Sequence, residues 1–454
     1  MKCCHYSFCL TISLILFFIS KIFAFSQNGE LLTLDQAIQI ALENNPSLKS
    51  AQYGLKASGL NVKYARRNLL PQADLHFSYS RLDPGTVRRG NVFVEVGRTL
   101  VKNFNAGDPN DIRPGAYDNN FATSFQIIQP LYNGGANWAS VSLARAQEWA
   151  QEYELENTRQ EIILAVKTRY LRALQAQELV TLARQSLKST EQHLRTTRQM
   201  LEVGLRSKTD VLRWEVQKAA DEGKLVEAQN NLEIALASLK EAMGIPFDKK
   251  IALKPLHFKP VPLNEKLEDQ IKLLQANHPQ LKKFEATLDA KRVGVRLASA
   301  GIQPKINFVY ELGWERNNTL ALDSFAFWSA TVAVNIPIFH GFSNLAKIQQ
   351  AKVEEKQLQE QKQVLERVLI LQLIQARLKV NSALKRFQIA RKGVEQAQEN
   401  LNVINNSFEV GLATNIDVLD AQVALNQAKT NLINAQYDYW IARAELDRAL
   451  GVVP

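Results

Sequence analysis

Beyond residue 9 the sequence contains no cysteine, since Cys3, Cys4 and Cys9 are its only three. That absence excludes disulfides, thiolate metal sites and thiol catalysis from the rest of the chain. It also excludes lipid attachment to a cysteine behind the N-terminal apolar run. Histidine is scarce, and His5, His76, His193, His257, His278 and His340 show no metal-ligand spacing. His278, which precedes Pro279, reads as a structural turn residue. No glycine loop able to cradle phosphate is present, so ATP must be used by a partner rather than by this chain. With three methionines there is no ladder for soft metals. Neither an enzyme nor a cofactor is expected. No basic cluster with interleaved aromatics points to nucleic acid.

Proline and glycine are also few, 14 and 20 in 454 residues, and they fall in clusters rather than being scattered. Between the clusters lie Ala, Leu, Gln, Glu, Lys and Arg, a mixture that favours long helices. The N-terminus has the features of a secretion signal. Lys2 supplies the positive start, Leu10 to Ser20 the apolar run, and Ala24-Phe25-Ser26 the small residues of a cleavage site. The signal is placed at 1–26. A retained anchor fits less well, because Lys21 interrupts the run and a span needs about 20 apolar residues. Losing Lys2 and Lys21 lowers the formal charge from +10 to +8. A solvated helical surface accounts for that excess.

The chain repeats itself. At an offset of 233, Asn45-Pro46 becomes His278-Pro279, Ile38 becomes Ile271, Asn44 becomes Asn277 and Pro71 becomes Pro304. From about residue 121 the offset is 207, carrying Pro130 to Pro337, Gly134 to Gly341 and the EVGL of 202–205 to that of 409–412. One register held this long is not chance similarity between coiled coils. The first copy is placed at 27–246, a linker at 247–264 and the second copy at 265–454.

Each copy opens with a short helix, 33–44 in the first, and a longer one, 47–70, stopping at Pro71. The period then changes to two. Leu75, Phe77 and Tyr79 alternate with polar residues, as do Phe121, Thr123, Phe125 and Ile127. Copy two has Ile306, Phe308, Tyr310, Leu312 and Trp314, then Trp328, Ala330, Val332 and Val334. Strands of about 9 to 11 residues suit a tilted membrane span. A small soluble sheet with one wet face would show the same alternation. Residues 81–119 form a long connection in which Val92, Val94 and Val96 alternate, in keeping with a flap or hairpin.

From about Asn137 to Leu201 there is neither proline nor glycine, and Val180, Leu187, Leu194 and Leu201 fall seven apart. Such a helix would be about 97 Å long. Val418, Leu425, Leu432, Tyr439 and Leu446 make the same row in copy two, which indicates coiled-coil packing. These helices are too polar for lipid and must project through water. Four spanning strands cannot close a barrel, and open edges are not tolerated in lipid. The chain must associate, as a dimer with about eight strands or a trimer with about twelve, and the larger barrel is the one that holds a lumen. A soluble trimeric coiled-coil adhesin or scaffold would explain the heptads but not the four strands. A periplasmic adaptor would lack the paired strands.

The constellation resembles the TolC-like outer-membrane efflux protein family over nearly all of the chain after the signal. The resemblance rests on Asn45-Pro46 and His278-Pro279, on Pro71, Pro130, Pro304 and Pro337 at helix–strand junctions, and on EVGLRSKTDVLR (202–213) and EVGLATNIDVLD (409–420). It implies an α/β membrane protein, a homotrimer with a 12-stranded β-barrel in the outer membrane of a Gram-negative bacterium. That barrel would continue into a long antiparallel coiled-coil α-barrel in the periplasm. Such a duct docks through a periplasmic membrane-fusion adaptor onto an inner-membrane pump of the RND, ABC or MFS class, in efflux or type I secretion.

The resemblance also implies that the two turns form the periplasmic tip. Val203, Gly204 and Leu205, with Val410, Gly411 and Leu412, would make the turns and offer adaptor contact. Asp417 and Asp420 match acidic rings at the aperture, and Asp417, like Asp210, also reads as a helix cap. Where TolC carries a tyrosine and an arginine that lock the closed tip, this chain has Phe408 and Ala413. Copy one has Arg206, Lys208 and Arg213 opposite Ala413, Asn415 and Asp420 of copy two. Pairing of Arg206 or Arg213 with Asp417 or Asp420 is therefore the expected lock.

Overall fold

Thr33 fixes the start of the first helix. Its hydroxyl accepts from the Gln36 N–H, and the Gln36 side chain accepts from the Thr33 N–H at 2.8 Å, which closes a capping box. The structure, a computed structural model, describes residues 31–112, 116–256, 260–317 and 326–452. The expected signal at 1–26 lies outside the described residues. In chain order the elements are α1 (Leu34–Asn44), α2 (Pro46–Arg67), β1 (Gln72–Arg81), α3 (Pro84–Asn103), β2 (Asn119–Asn133), α4 (Ala136–Glu202) and α5 (Lys208–Met243). The second copy supplies α6 (Leu267–Asn277), α7 (Pro279–Ser299), β3 (Lys305–Asn317), β4 (Ala326–Asn335), α8 (Ser343–Glu409) and α9 (Asn415–Ala449). Helices α4 and α8 are each 67 residues long.

Two compact units cut across the two repeats. One holds Gly54–Tyr153 and Lys282–Val364, the other Met1–Tyr53, Glu154–Leu281 and Leu365–Pro454.

The first of these contains a four-stranded antiparallel sheet in the order β1-β2-β3-β4. Register aligns Leu75, Phe125, Leu312 and Trp328 in one row, with Ala73, Ile127, Tyr310 and Ala330 beside it. On the opposite face the adjacent row is Asp74, Gln126, Glu311 and Ser329. One face is thus apolar across all four strands and the other largely polar, interrupted by Ile128, Val309 and Phe327. Gly313 is needed where it stands, because a Cβ there would lie 2.5 Å from the Phe327 ring that covers it.

Two expectations change in this unit. Pro130 lies inside β2 rather than at a junction, beside an irregularity in register between Pro130 and Tyr132; a bulge is where a strand accepts a residue with no N–H to donate. Pro71 and Pro304 immediately precede β1 and β3, and Pro337 follows β4 by two residues. The connection 81–119 carries no flap or hairpin built on Val92, Val94 and Val96; those residues lie in α3. Asp83 caps it by accepting from Gly85 and Thr86 N–H, and Pro84 takes the first helical position, where a missing N–H costs nothing. Around the sheet-bearing unit's helices, Val62 and Ala65 of α2 pack on Val141 and Ala144, and Lys291 and Glu354 join α7 to α8 at 2.8 Å.

In the other unit, α1 buries Ala37 and Ala41 against Val166, Tyr170, Leu239 and Met243. The linker is part of this core. Leu253 is buried and pairs with Leu32, and the buried Tyr170 hydroxyl donates to the Leu32 carbonyl at 2.8 Å. Burial pushes the Tyr170 phenol up to about 12. The duplication is plainest at two joints. Gly244 ends α5 with φ +67° and Gly451 follows α9 with φ +71°, and an added Cβ would meet the Asn44–Asn45 and Asn277–His278 backbones at 2.9 and 2.7 Å. Glycine alone permits that combination of left-handed turn and close approach. No described helix is long and apolar enough to cross a membrane.

His278 is buried at the second joint, with its Nδ1 accepting from the Gln280 N–H and its Nε2 3.3 Å from Arg448 Nη1. Arg448 also donates to Asn157 and faces Glu161 at 3.5 Å. Burial, then the Arg448 charge, push the His278 pKa down to about 4. The unfolded chain therefore binds this proton near the ordinary value of about 6.5 while the folded one resists it. Stability contributed by neutral His278 is present above about pH 6.5 and is lost as pH falls toward 4, on the order of 3 kcal/mol in all. Denaturant titrations of the wild type across that window should show the loss, and H278Q should flatten this part of the pH dependence.

Candidate functional site

The turns at 203–207 and 410–414 are built the same way. After α4, Leu205 N–H donates to the Met200 carbonyl at 2.8 Å and Gly204 N–H to Leu201 at 3.0 Å. After α8, Leu412 donates to Ser407 at 2.8 Å and Gly411 to Phe408 at 3.2 Å. Each is a Schellman closure, and Gly204 and Gly411 both take φ +78°, the left-handed value that ends one helix and frees the next. The following helices start on capping boxes: Ser207 with Asp210, and Thr414 with Asp417. The turns leave apolar side chains in the open, with Val203 and Val410 each 69% exposed and Leu205 and Leu412 at 71% and 85%.

The two turns are joined by side chains from both copies. Trp214 is fully buried with Leu194, Val211 and Val418 around it. Its indole N–H donates to Asn415 Oδ1 at 2.7 Å, and His193 stacks on its ring at 4.8 Å. Burial holds the His193 pKa below its ordinary value. Arg206 of copy one lies over the Phe408 ring of copy two, 4.2 Å from its centre. Burial raises the Asp210 carboxyl, but hydrogen bonds from Ser207 and the nearby Arg206 charge outweigh it and hold the pKa below the ordinary value.

The expected pairing of Arg206 or Arg213 with Asp417 or Asp420 is not formed within the chain. Arg206 turns to the ring instead, because Phe408 offers a flat π face at the turn where Asp417 is already engaged. Thr414 donates from its backbone and hydroxyl to Asp417 at 2.7 and 2.6 Å. Those hydrogen bonds, the side-chain one first, lower the Asp417 pKa. Asp417 is thus a cap in this chain, while Arg213 and Asp420 are both exposed.

Sequence reading did not single out Trp214, Asn415 or His193. It also passed over Asp221, seven residues beyond Trp214 and buried at 2% exposure. Thr190 donates to Asp221 at 2.7 Å and Gln217 at 2.9 Å, while Asn426 of α9 reaches Ser186 beside it at 2.7 Å. A carboxylate in a row of core positions was the available signal. Among the described residues no cluster could hold a metal ion. The arrangement is two turns held to each other by a few polar contacts.

Asn415→Ala should leave the buried Trp214 N–H without an acceptor, at a cost of about 1–3 kcal/mol. Denaturant unfolding followed by the helical circular dichroism should show this loss, and Trp214→Phe in the same background should recover part of it.

The profile described as outer membrane efflux protein matches residues 37–245 and 270–452. The chain is 24% identical over 448 residues to the outer membrane protein TolC of Escherichia coli (strain K12), covering 94% of this chain and 84% of that protein. It is 25% identical over 422 residues to the alkaline protease secretion protein AprF of Pseudomonas aeruginosa, covering 91% and 83%. Among solved structures, the channel VceC of Vibrio cholerae matches with a TM-score of 0.74 at 18% identity, over 92% of this chain and 96% of that one. CusC matches with a TM-score of 0.78 at 18% identity, over 94% and 96%. The amphipathic sheet, the long helical hairpins and these likenesses agree, and the chain belongs to the outer membrane efflux protein family, as an outer-membrane exit channel of the TolC type.

Proposed function

We propose that the chain is one protomer of a homotrimeric passive duct in which the free edge of β4 pairs with β1 of the next copy. The observation that carries this is the sheet: one face is apolar over all four strands, and both outer edges are unpaired among the described residues. Hydrocarbon tolerates neither an open edge nor a water-filled gap beside it, and three copies close about twelve strands around a lumen. The polar long helices then stand in the periplasm and end at the two turns.

The turns are the aperture in this reading. Asp417 and Asp420 would place carboxylates around one axis, favouring cations. The Arg206–Phe408 contact, with Asp210 beneath it and Arg213 exposed nearby, takes the place of an ion-pair lock. The exposed Val203, Leu205, Val410 and Leu412 would receive a periplasmic membrane-fusion adaptor. That adaptor joins the duct to an inner-membrane RND, ABC or MFS pump, which supplies energy and selects the cargo in efflux or type I secretion.

A boiled sample should run on a gel as monomer and an unboiled one as trimer. In planar bilayers Phe408→Ala should raise closed-state conductance. A cation–π contact is worth about 0.5–1 kcal/mol, so losing three should raise open probability by about ten- to a hundredfold. Asp420→Ala should lower cation selectivity with little change in conductance at rest. Unaltered leakage in Phe408→Ala would remove the contact from the gate.

A further inference from the structure

The duct leaves one element without a role. Helix α3 follows β1 after only Leu82 and Asp83, at the end of the sheet opposite the long helices, and the Leu82 N–H still donates to Asp118 at 2.8 Å. One side of α3 is docked. Asn91 donates to the Ala116 carbonyl at 2.8 Å and accepts from its N–H at 2.9 Å, and Arg98 donates to the Ile112 carbonyl at 2.7 Å. Gly90 and Gly97 allow that approach: added Cβ atoms would stand 2.9 and 3.2 Å from Ala116 and Ile112. The half-buried Val87, Val94 and Val101 fall on the same side.

The other side carries an apolar stripe that nothing among the described residues covers. Val92, Phe93, Val96 and Leu100 fall within an arc of about 100° at 3.6 residues per turn, and Phe104 continues it at the C-cap. Phe93 is 87% exposed and Phe104 77%. Arg98 is taken up by the Ile112 carbonyl, but Arg88 and Lys102 lie along one flank of the stripe with the single acid, Glu95, and Arg89 falls within its arc, where it donates to the Thr86 hydroxyl. An apolar stripe with cations along its edge is the pattern of a helix lying in a lipid interface. The same pattern argues against packing on α3 of a second copy, which would bring like charges together.

We infer that α3 is an interfacial helix, seating its Phe93 face among the acyl chains and its cations on the phosphate groups of the lipid leaflet around the outer mouth of the barrel. The stripe is continuous in chemistry with the apolar face of the sheet to which a two-residue link ties it. This rests on the barrel reading above, and the test separates the two.

Native cysteines occur only at 3, 4 and 9, so single nitroxide labels can be placed at will. The assembled full-length protein carrying Phe93→Cys or Leu75→Cys is reconstituted in vesicles of phosphatidylcholine with phosphatidylglycerol, or of phosphatidylcholine alone. Both labels should be more accessible to oxygen than to an aqueous nickel chelate. Arg88→Gln with Lys102→Gln should lower the seated fraction of the Phe93 label about thirtyfold in the anionic vesicles, given about 1 kcal/mol per cation near such a surface. It should change little in the neutral ones. A Phe93 label in water while the Leu75 label reads lipid overturns the inference alone. Spin–spin broadening between Phe93 labels would make a second copy the occupant and also overturn it. A Leu75 label in water overturns the barrel reading and this inference with it.

Discussion

Every backbone N–H and C=O placed in hydrocarbon needs a partner, and a single chain of this protein cannot provide them all. Among the described residues, strands β1 and β4 each pair on one side only. The apolar face that makes the sheet fit for lipid also makes its open edges intolerable there. On the proposed barrel, association is a condition of the fold rather than an addition to it. The same condition explains the alternation of Leu75, Phe125, Leu312 and Trp328 against Asp74, Gln126, Glu311 and Ser329, since a closed ring of such strands has a greasy outside and a wet inside.

The helical part obeys a different rule. Its stretches 67 residues long contain few breakers, and they bend back only where a glycine can turn left-handed. Four such glycines matter most: Gly204 and Gly411 at the turns, Gly244 and Gly451 at the joints. The copies share these backbone devices and differ in what hangs from them. Copy one contributes Trp214, Arg206 and Ser186, and copy two answers with Asn415, Phe408 and Asn426. The repeated backbone makes two equivalent hairpins, and the unlike side chains bind one to the other.

What could be read from the sequence followed how local the physics is. Thr33, Ser207 and Thr414 cap through partners three residues away, and such caps show in the letters alone. So did the strands, because alternation needs no knowledge of the neighbour. The irregularity beside Pro130 did depend on the neighbour, β3, and β2 was longer than alternation suggested. Val92, Val94 and Val96 were misleading because a helix also accepts such spacing, with Val92 and Val96 on one side and Val94 on the other; the Asp83-Pro84 start was the better guide. Trp214 and Asn415 are 201 residues apart, and no local pattern couples residues so distant. The pairing of tip charges failed for a related reason: sequence gives the charges, while the cap and the ring decide where they turn.

The two longest helices match in length residue for residue, though the strands and connections before them do not. A hairpin pair of this kind works like two rulers laid side by side. If one copy gained or lost a turn of helix, its tip would slide past the other by about 5.4 Å, and Trp214 would no longer find Asn415. Length in the helical part can therefore change during evolution only in matched steps, once in each copy. The outer connection answers to no partner of equal length, and it is the region free to be lengthened, shortened or exchanged.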